Sequence, residues 1–320
     1  MRAAEPAREP RWRRYALRAV GIGLLALTAW LVVDIARETD WNAVLAALRS
    51  RSAGALAAIA GIALASHALY GMLDVLGARS LGLKLPRRRV WLTATSSYAC
   101  NLNLGSLVGA AALRYKLYCS QGVAVADVSR MIALSMAANW LGYLVLLASL
   151  PLWVPPLVMT RWIGDGGAIA LSGGAALAVT FYLAACLRQT QWRIRGHEFR
   201  FPAIGLAVTQ IAVGATNWAL MGLVLRLALG DGAGYGETLA SLLVAAIAGA
   251  VTHVPGGWGV LDYVILKSLS GSLDPHRVVA GVLVYRAAYY LLPLALAPLS
   301  ITWLLRRGKS RRVTAKAQAA

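Results

Sequence analysis

Runs of about 20 apolar residues recur along this chain, and few environments accept a helix that is apolar all round. At 1.5 Å per residue such a run crosses a hydrocarbon core of about 30 Å. Continuous runs cover residues 15–33, 53–76, 128–150, 166–187, 201–227 and 278–305. With 59% of the 320 residues hydrophobic and 14% charged, the chain has too little polar surface for a water-soluble domain. An all-α polytopic membrane protein with six full spans is predicted. The net charge of +19 would suggest nucleic acid in a soluble protein. Here the basic residues flank apolar runs, so no nucleic-acid partner is expected.

Two further apolar stretches, 90–118 and 238–269, are interrupted near their middles by Asn101-Leu-Asn-Leu-Gly105 and by His253-Val-Pro-Gly-Gly-Trp-Gly259. Broken backbone at membrane depth is tolerated only where protein or a watery cavity satisfies its polar groups. Both stretches therefore read as re-entrant hairpins, with Asn101, Gly105 and Gly109 in one and Pro255, Gly256, Gly257 and Gly259 in the other.

Lys and Arg accumulate in cytoplasmic loops, and about 20 of them lie in the N-terminal arm, residues 79–89, residues 188–200 and the tail from Arg306. Six crossings with both hairpins returning to their own side put all four clusters in the cytoplasm, with both termini. The first run follows Arg11, Arg13 and Arg14 without a small-residue cleavage site, so a retained helix is expected. The order is a basic arm (1–14), a first membrane repeat (15–150), an outer loop (151–165), a second repeat (166–305) and a basic tail (306–320). Asp40 is placed to cap a short amphipathic helix carrying Trp41, Val44, Leu45 and Leu48 along the outer interface. The tail from Gly308 reads as disordered beside anionic lipid.

Span, span, hairpin, span occurs twice with opposite topology, the pattern of inverted-repeat transporters. Asp127-Val-Ser-Arg130 and Asp274-Pro-His-Arg277 would each open a closing helix with an Asp N-cap. Carrying that register forward sets Asn139 opposite Arg286 and Tyr143 opposite Tyr290.

An Arg near mid-membrane costs at least about 2.5–3.5 kcal/mol, so it needs a partner or a ligand. Arg114 follows the first break, Asp262 follows the second, and Arg286 shares a helix face with Tyr289 and Tyr290. One reading is an Arg114 to Asp262 ion pair fixing the hairpins. The other is that Arg114 and Arg286, with Tyr289 and Tyr290, offer a planar fork to a lipid phosphate. His67, Tyr70 and Asp74 share a face, so His67 and Asp74, like His253 near the second break, are candidates for proton coupling or for structural pairing. Gln210 and Asn217 read as interhelical hydrogen bonds. Cys100, Cys119 and Cys186 lack metal-ligand or disulfide spacing and read as packing residues. No P-loop, catalytic triad or paired catalytic carboxylates are readable, so neither metal, cofactor nor enzymatic activity is expected.

Tyr98, Asn101, Gly105, Gly109 and Arg114, together with Pro255-Gly-Gly-Trp-Gly-Val260, Asp262, Tyr285-Arg286, Tyr289, Tyr290 and Pro293, carry a resemblance. The chain resembles the lysylphosphatidylglycerol synthase transmembrane-region family over residues 15–305, including the flippase half of the multiple peptide resistance factor. It departs from the family in having Asp262 where Glu is usual and in lacking a Pro in the first hairpin. The resemblance implies binding or movement of an anionic, aminoacylated or polyprenyl-type lipid. It does not imply lipid synthesis, because the aminoacyl-transferring domain would follow the last span. The expectation is an inner-membrane lipid flippase with membrane phospholipid as its partner. The alternative is a non-catalytic accessory subunit of a lipid-modifying protein. Self-association is left open.

Overall fold

The computed structural model describes residues 37, 41–105, 111–154, 157–194 and 197–317; the expected first span, the Asp40 cap and Gly109 lie outside them. The described chain is almost entirely helical. In order it forms α1 (Trp41–Arg49), α2 (Ala53–Ser80), α3 (Arg87–Leu104), α4 (Leu113–Cys119), α5 (Val125–Ser149) and α6 (Leu157–Leu187). After a short antiparallel pair, β1 (Gln191–Ile194) and β2 (His197–Arg200), come α7 (Ile204–Leu229), α8 (Tyr235–Thr252) and α9 (Val260–Leu269). Then α10 (Pro275–Arg286) continues through a π-helical segment, Ala287–Leu291, into α11 (Leu292–Ala317).

Among the described residues six helices are long and apolar enough to cross a membrane. Five of them, Ala53–Ser80, Val125–Leu152, Arg161–Leu187, Ile204–Leu229 and Pro275–Arg306, coincide with expected spans. The sixth is Tyr235–Thr252, the first arm of the second interrupted stretch, whose 18 residues reach about 27 Å. Length alone therefore does not distinguish a hairpin arm from a crossing.

The centre is formed by α2, α5 and α7, which pack on one another. Where α5 crosses α7 their backbones touch: a Cβ on Gly142 would meet Gly214 and Ala215, and one on Gly214 would meet the Ala138 carbonyl. Small residues give such close approach in membranes, where van der Waals contact drives association. Against this centre α3 lies between α2 and α11, while α8 and α9 pair with each other beside α7 and α10.

Helix ends follow their sequences, with one correction. Asp274 is a true N-cap, its carboxylate accepting from the backbone N–H of His276 and Arg277. Asp127 is not, because α5 already starts at Val125 after Ala124. Asp127 lies in the first turn, where a carboxylate favours the helix dipole, and meets Arg130 at 3.5 Å on the surface. The amphipathic α1 presses Val44 onto Val279 and Ala280 of α10 while Trp41 and Leu45 remain exposed. The tail also departs from expectation: helix continues to Ala317, since no proline follows Pro298 and most residues after Gly308 tolerate helix.

Candidate functional site

Both interruptions end a helix with left-handed backbone. Gly105 caps α3 with φ 84° and donates to the Asn101 carbonyl, while His253 caps α8 with φ 53°. The two breaks touch. Gly256 (φ 67°) lies so near the tip of α3 that a Cβ there would approach the Leu102 carbonyl to 2.8 Å. Only glycine meets both demands. Asn103 ties the same tip to the π-helical segment, donating from Nδ2 to the Tyr290 carbonyl at 3.1 Å and to Ala99 at 2.8 Å. A π-bulge disturbs the regular i to i−4 ladder, and a side-chain amide at this point supplies a partner.

Beside the second break, Arg286 is 2% exposed and donates four hydrogen bonds. Its Nε donates to Asp262 Oδ1 and its Nη2 to Asp262 Oδ2, both at 2.8 Å. Nη1 donates to the Gly256 carbonyl at 2.9 Å and Nη2 to that of Gly257 at 3.1 Å. Trp258 and Tyr290 sandwich the guanidinium, with ring centroids 4.3 and 4.7 Å from Cζ. Asp262 Oδ2 also accepts from the Gly259 N–H at 2.8 Å, which fixes the start of α9. Arg286 and Asp262 line a cavity of about 140 Å³, otherwise bounded chiefly by Trp41, Trp258, Leu266, Val282 and Leu283. One of the five guanidinium N–H groups is left beyond the four bonds made within the described residues.

Arg114 meets a different acid from the one anticipated. Its Nε and Nη2 donate to the two oxygens of Asp74, each at 3.0 Å. Tyr118 donates to Asp74 at 2.7 Å and Ser135 also donates to it. Arg114 and Asp74 are 1% and 0% exposed. The expected Arg114 to Asp262 pair does not form, because each charge has a bidentate partner on a nearer helix. Satisfying every lone pair is what makes so deep a carboxylate tolerable.

No family model matches the chain. The Escherichia coli (strain K12) inner membrane protein YbhN is 32% identical over 315 residues, covering 97% of this chain and 98% of YbhN. The chain belongs to the lysylphosphatidylglycerol synthase transmembrane-region family. Within it, the uncharacterized protein slr0712 of Synechocystis is 28% identical over 316 residues, spanning 94% of this chain and 95% of that protein. The phosphatidylglycerol lysyltransferase of Staphylococcus aureus (strain COL) is 25% identical over 246 residues, which is 73% of this chain and 27% of that enzyme. This family member is an inner-membrane protein.

The remaining candidates of this family member form a third, central cluster. Ser66 Oγ donates to Asn217 Oδ1 at 2.8 Å and lies 2.9 Å from the Tyr289 hydroxyl. Tyr289 reaches the Tyr98 hydroxyl at 3.3 Å, and Tyr98 stacks on Tyr70 at 3.6 Å. His67 is wedged between Tyr98 and Tyr289, its Nδ1 on the Ala63 carbonyl at 3.0 Å. Asn217 donates to Asn139 at 3.3 Å, as its interhelical reading requires, whereas Gln210 Nε2 is buried with no partner among the described residues. The structure separates His67 from Asp74, which take different neighbours despite sharing a helix face. His253 is exposed at the helix end, with Nδ1 against the Val251 carbonyl. Tyr289 turns into this cluster while Tyr290 faces Arg286, so the two tyrosines serve separate sites.

Asn103, Ser66 and Ser135 were given no role by sequence, and Trp258 entered only as part of the Pro255–Val260 motif. Asn103 was the detectable one, a second amide inside a broken helix. Among the described residues no group of three or more His, Cys, Asp or Glu side chains could hold a metal.

Proposed function

We propose that this protein binds a phosphate-bearing lipid and carries its headgroup between leaflets. The architecture proposed for that task has six full spans and two re-entrant hairpins, residues 15–150 and 166–305 forming inverted repeats with cytoplasmic termini. Two observations support the arrangement: the tips of the interrupted stretches touch, and the arm after each tip is anchored by an Arg–Asp pair whose arginine is buried. The named activity of the Staphylococcus aureus relative, lysyl transfer to phosphatidylglycerol, favours a phospholipid.

The observation that carries the reading is Arg286 at one end of an apolar cavity. A lipid phosphate is a bidentate acceptor like the Asp262 carboxylate, so it can replace that carboxylate on the guanidinium fork. Asp262 would keep the Gly259 N–H meanwhile. Apolar walls suit acyl chains, and Trp258 covers the face of the cation. Arg114 is better read as a structural charge, since Asp74 occupies its fork and it does not line the cavity beside Arg286. That closed pair is also what favours the second reading, a non-catalytic accessory subunit.

Leaflet exchange of a fluorescent phosphatidylglycerol in proteoliposomes containing this chain alone tests the proposal. Val282→Phe fills the cavity without removing either charge of the ion pair. It should abolish exchange while leaving the melting temperature close to that of the parent. Exchange at the parental rate in the folded variant rejects this route, and no exchange by the parent favours the accessory reading.

A further inference from the structure

Three arginines converge at the C-terminal end of α7. Arg51 Nη1 donates to the Leu227 carbonyl at 3.2 Å, Arg226 Nη1 to Gly230 at 2.7 Å and Arg277 Nη2 to Asp231 at 3.0 Å. A Cβ on Gly230 would lie 3.8 Å from both Arg51 Nη1 and Arg277 Nη2, so two guanidinium groups flank one glycine. No ion pair among the described residues balances them. Asp231 offers Arg277 its backbone carbonyl, and the Asp274 carboxylate is engaged by the His276 and Arg277 N–H groups. Arg51 Nε is buried with no partner among the described residues. Burial and the nearby charge of Arg277 both lower the Arg51 pKa from its usual value, the mark of a cation short of counter-charge.

A helix C-terminus attracts cations, but one arginine suffices to bond its last carbonyls. Arg51 does so at Leu227, while Arg226 and Arg277 reach the Gly230 and Asp231 carbonyls beyond the helix end. Arg51 arrives from the segment before α2 and Arg277 from the first turn of α10, and neither makes an ion pair with a described carboxylate. On the topology proposed above, on which the assignment to a leaflet rests, these three ends lie at the outer surface, where Lys and Arg are normally scarce. Arg277 precedes Arg286 by nine residues, about two and a half turns, so it points away from the cavity. The cluster is a separate site.

We propose that Arg51, Arg226 and Arg277 form a binding site for a phosphate group, supplied by the headgroups of outer-leaflet phospholipids. The guanidinium N–H groups beyond these three backbone bonds supply paired donors that match phosphate oxygens. The phosphate supplies the missing counter-charge to Arg51 and Arg277 and draws the starts of α2 and α10 onto the end of α7.

Melting of the full chain in detergent, at fixed ionic strength, tests this with two probes: phosphatidylglycerol added to the micelles and inorganic phosphate added to the buffer. A ligand that binds the folded state raises its melting temperature. Phosphatidylglycerol should raise that of the parent, and Arg51→Gln and Arg277→Gln should each lose most of the increment. Without added anion, each glutamine variant loses one backbone hydrogen bond while relieving repulsion, so the increment is read against that variant's own melting temperature. Arg51→Lys with Arg277→Lys keeps the charges and should retain part of the increment, which covers a glutamine variant that fails to fold. A response to phosphatidylglycerol alone identifies a lipid site, and an equal response to inorganic phosphate a free-anion site. No increment in the parent, or an undiminished one in the glutamine variants, overturns the proposal. Lipid exchange plays no part in this readout, so it stands or falls apart from the transport reading.

Discussion

Asp74 accepts from Arg114, Tyr118 and Ser135 at once, and this convergence sets what each partner is worth. Removing one member of a buried, hydrogen-bonded ion pair leaves an uncompensated charge, at about 3–5 kcal/mol. Arg114→Gln and Asp74→Asn should each lower stability by that order. The double variant should cost clearly less than their sum, because no charge is stranded. Arg114→Gln combined with Asp262→Asn should instead be nearly additive. Thermal unfolding of these variants and of Asp262→Asn alone, five in all, checks this; additivity between Arg114 and Asp74, or strong coupling between Arg114 and Asp262, would contradict the observed pairing. The cost of burying charge in lipid singled out Arg114, Asp262 and Arg286 in the sequence, and Asp74 entered only through the face it shares with His67 and Tyr70. That cost could not choose among acids, since that depends on how α2 and α4 are rotated against each other. The Trp258 and Tyr290 sandwich on Arg286 was hidden for the same reason.

At the scale of elements, the crossing of α5 and α7 leaves no room for a side chain at Gly142 or Gly214, and what an added Cβ would meet is backbone. Overpacking a core costs about 1–3 kcal/mol where side chains can yield, and backbone yields less. Gly142→Val and Gly214→Val should therefore cost at least that much and strip the folded species from a size-exclusion profile. Gly173→Val in α6, where nothing lies within 4 Å, should elute like the parent. A monodisperse Gly142→Val protein would show that the helices separate freely. Five spans were legible to within about five residues because their apolar length is a membrane requirement. The π-helical segment was not, since one extra residue changes neither composition nor apolar length. The β1–β2 pair was missed because residues 188–200 announced themselves only by charge.

The whole molecule has a sidedness that basic residues predict and two exposed positions can report. In a variant with Cys100, Cys119 and Cys186 replaced, Ser270→Cys should react with an impermeant thiol reagent in intact cells and Lys84→Cys only after lysis. The reverse pattern would overturn the topology and the outer position of the arginine cluster. The two buried ion pairs also bear on how such a protein is made. Asp74 precedes Arg114 by 40 residues and Asp262 precedes Arg286 by 24. At about 5–20 residues per second, each acid meets its base within roughly ten seconds of synthesis. A bond from Arg114 to Asp262 would have left an arginine waiting through about 150 residues of translation, several times longer. As built, each stretch of chain neutralises its own charges soon after leaving the ribosome, so the insertion machinery does not have to shelter the first pair until the second half arrives.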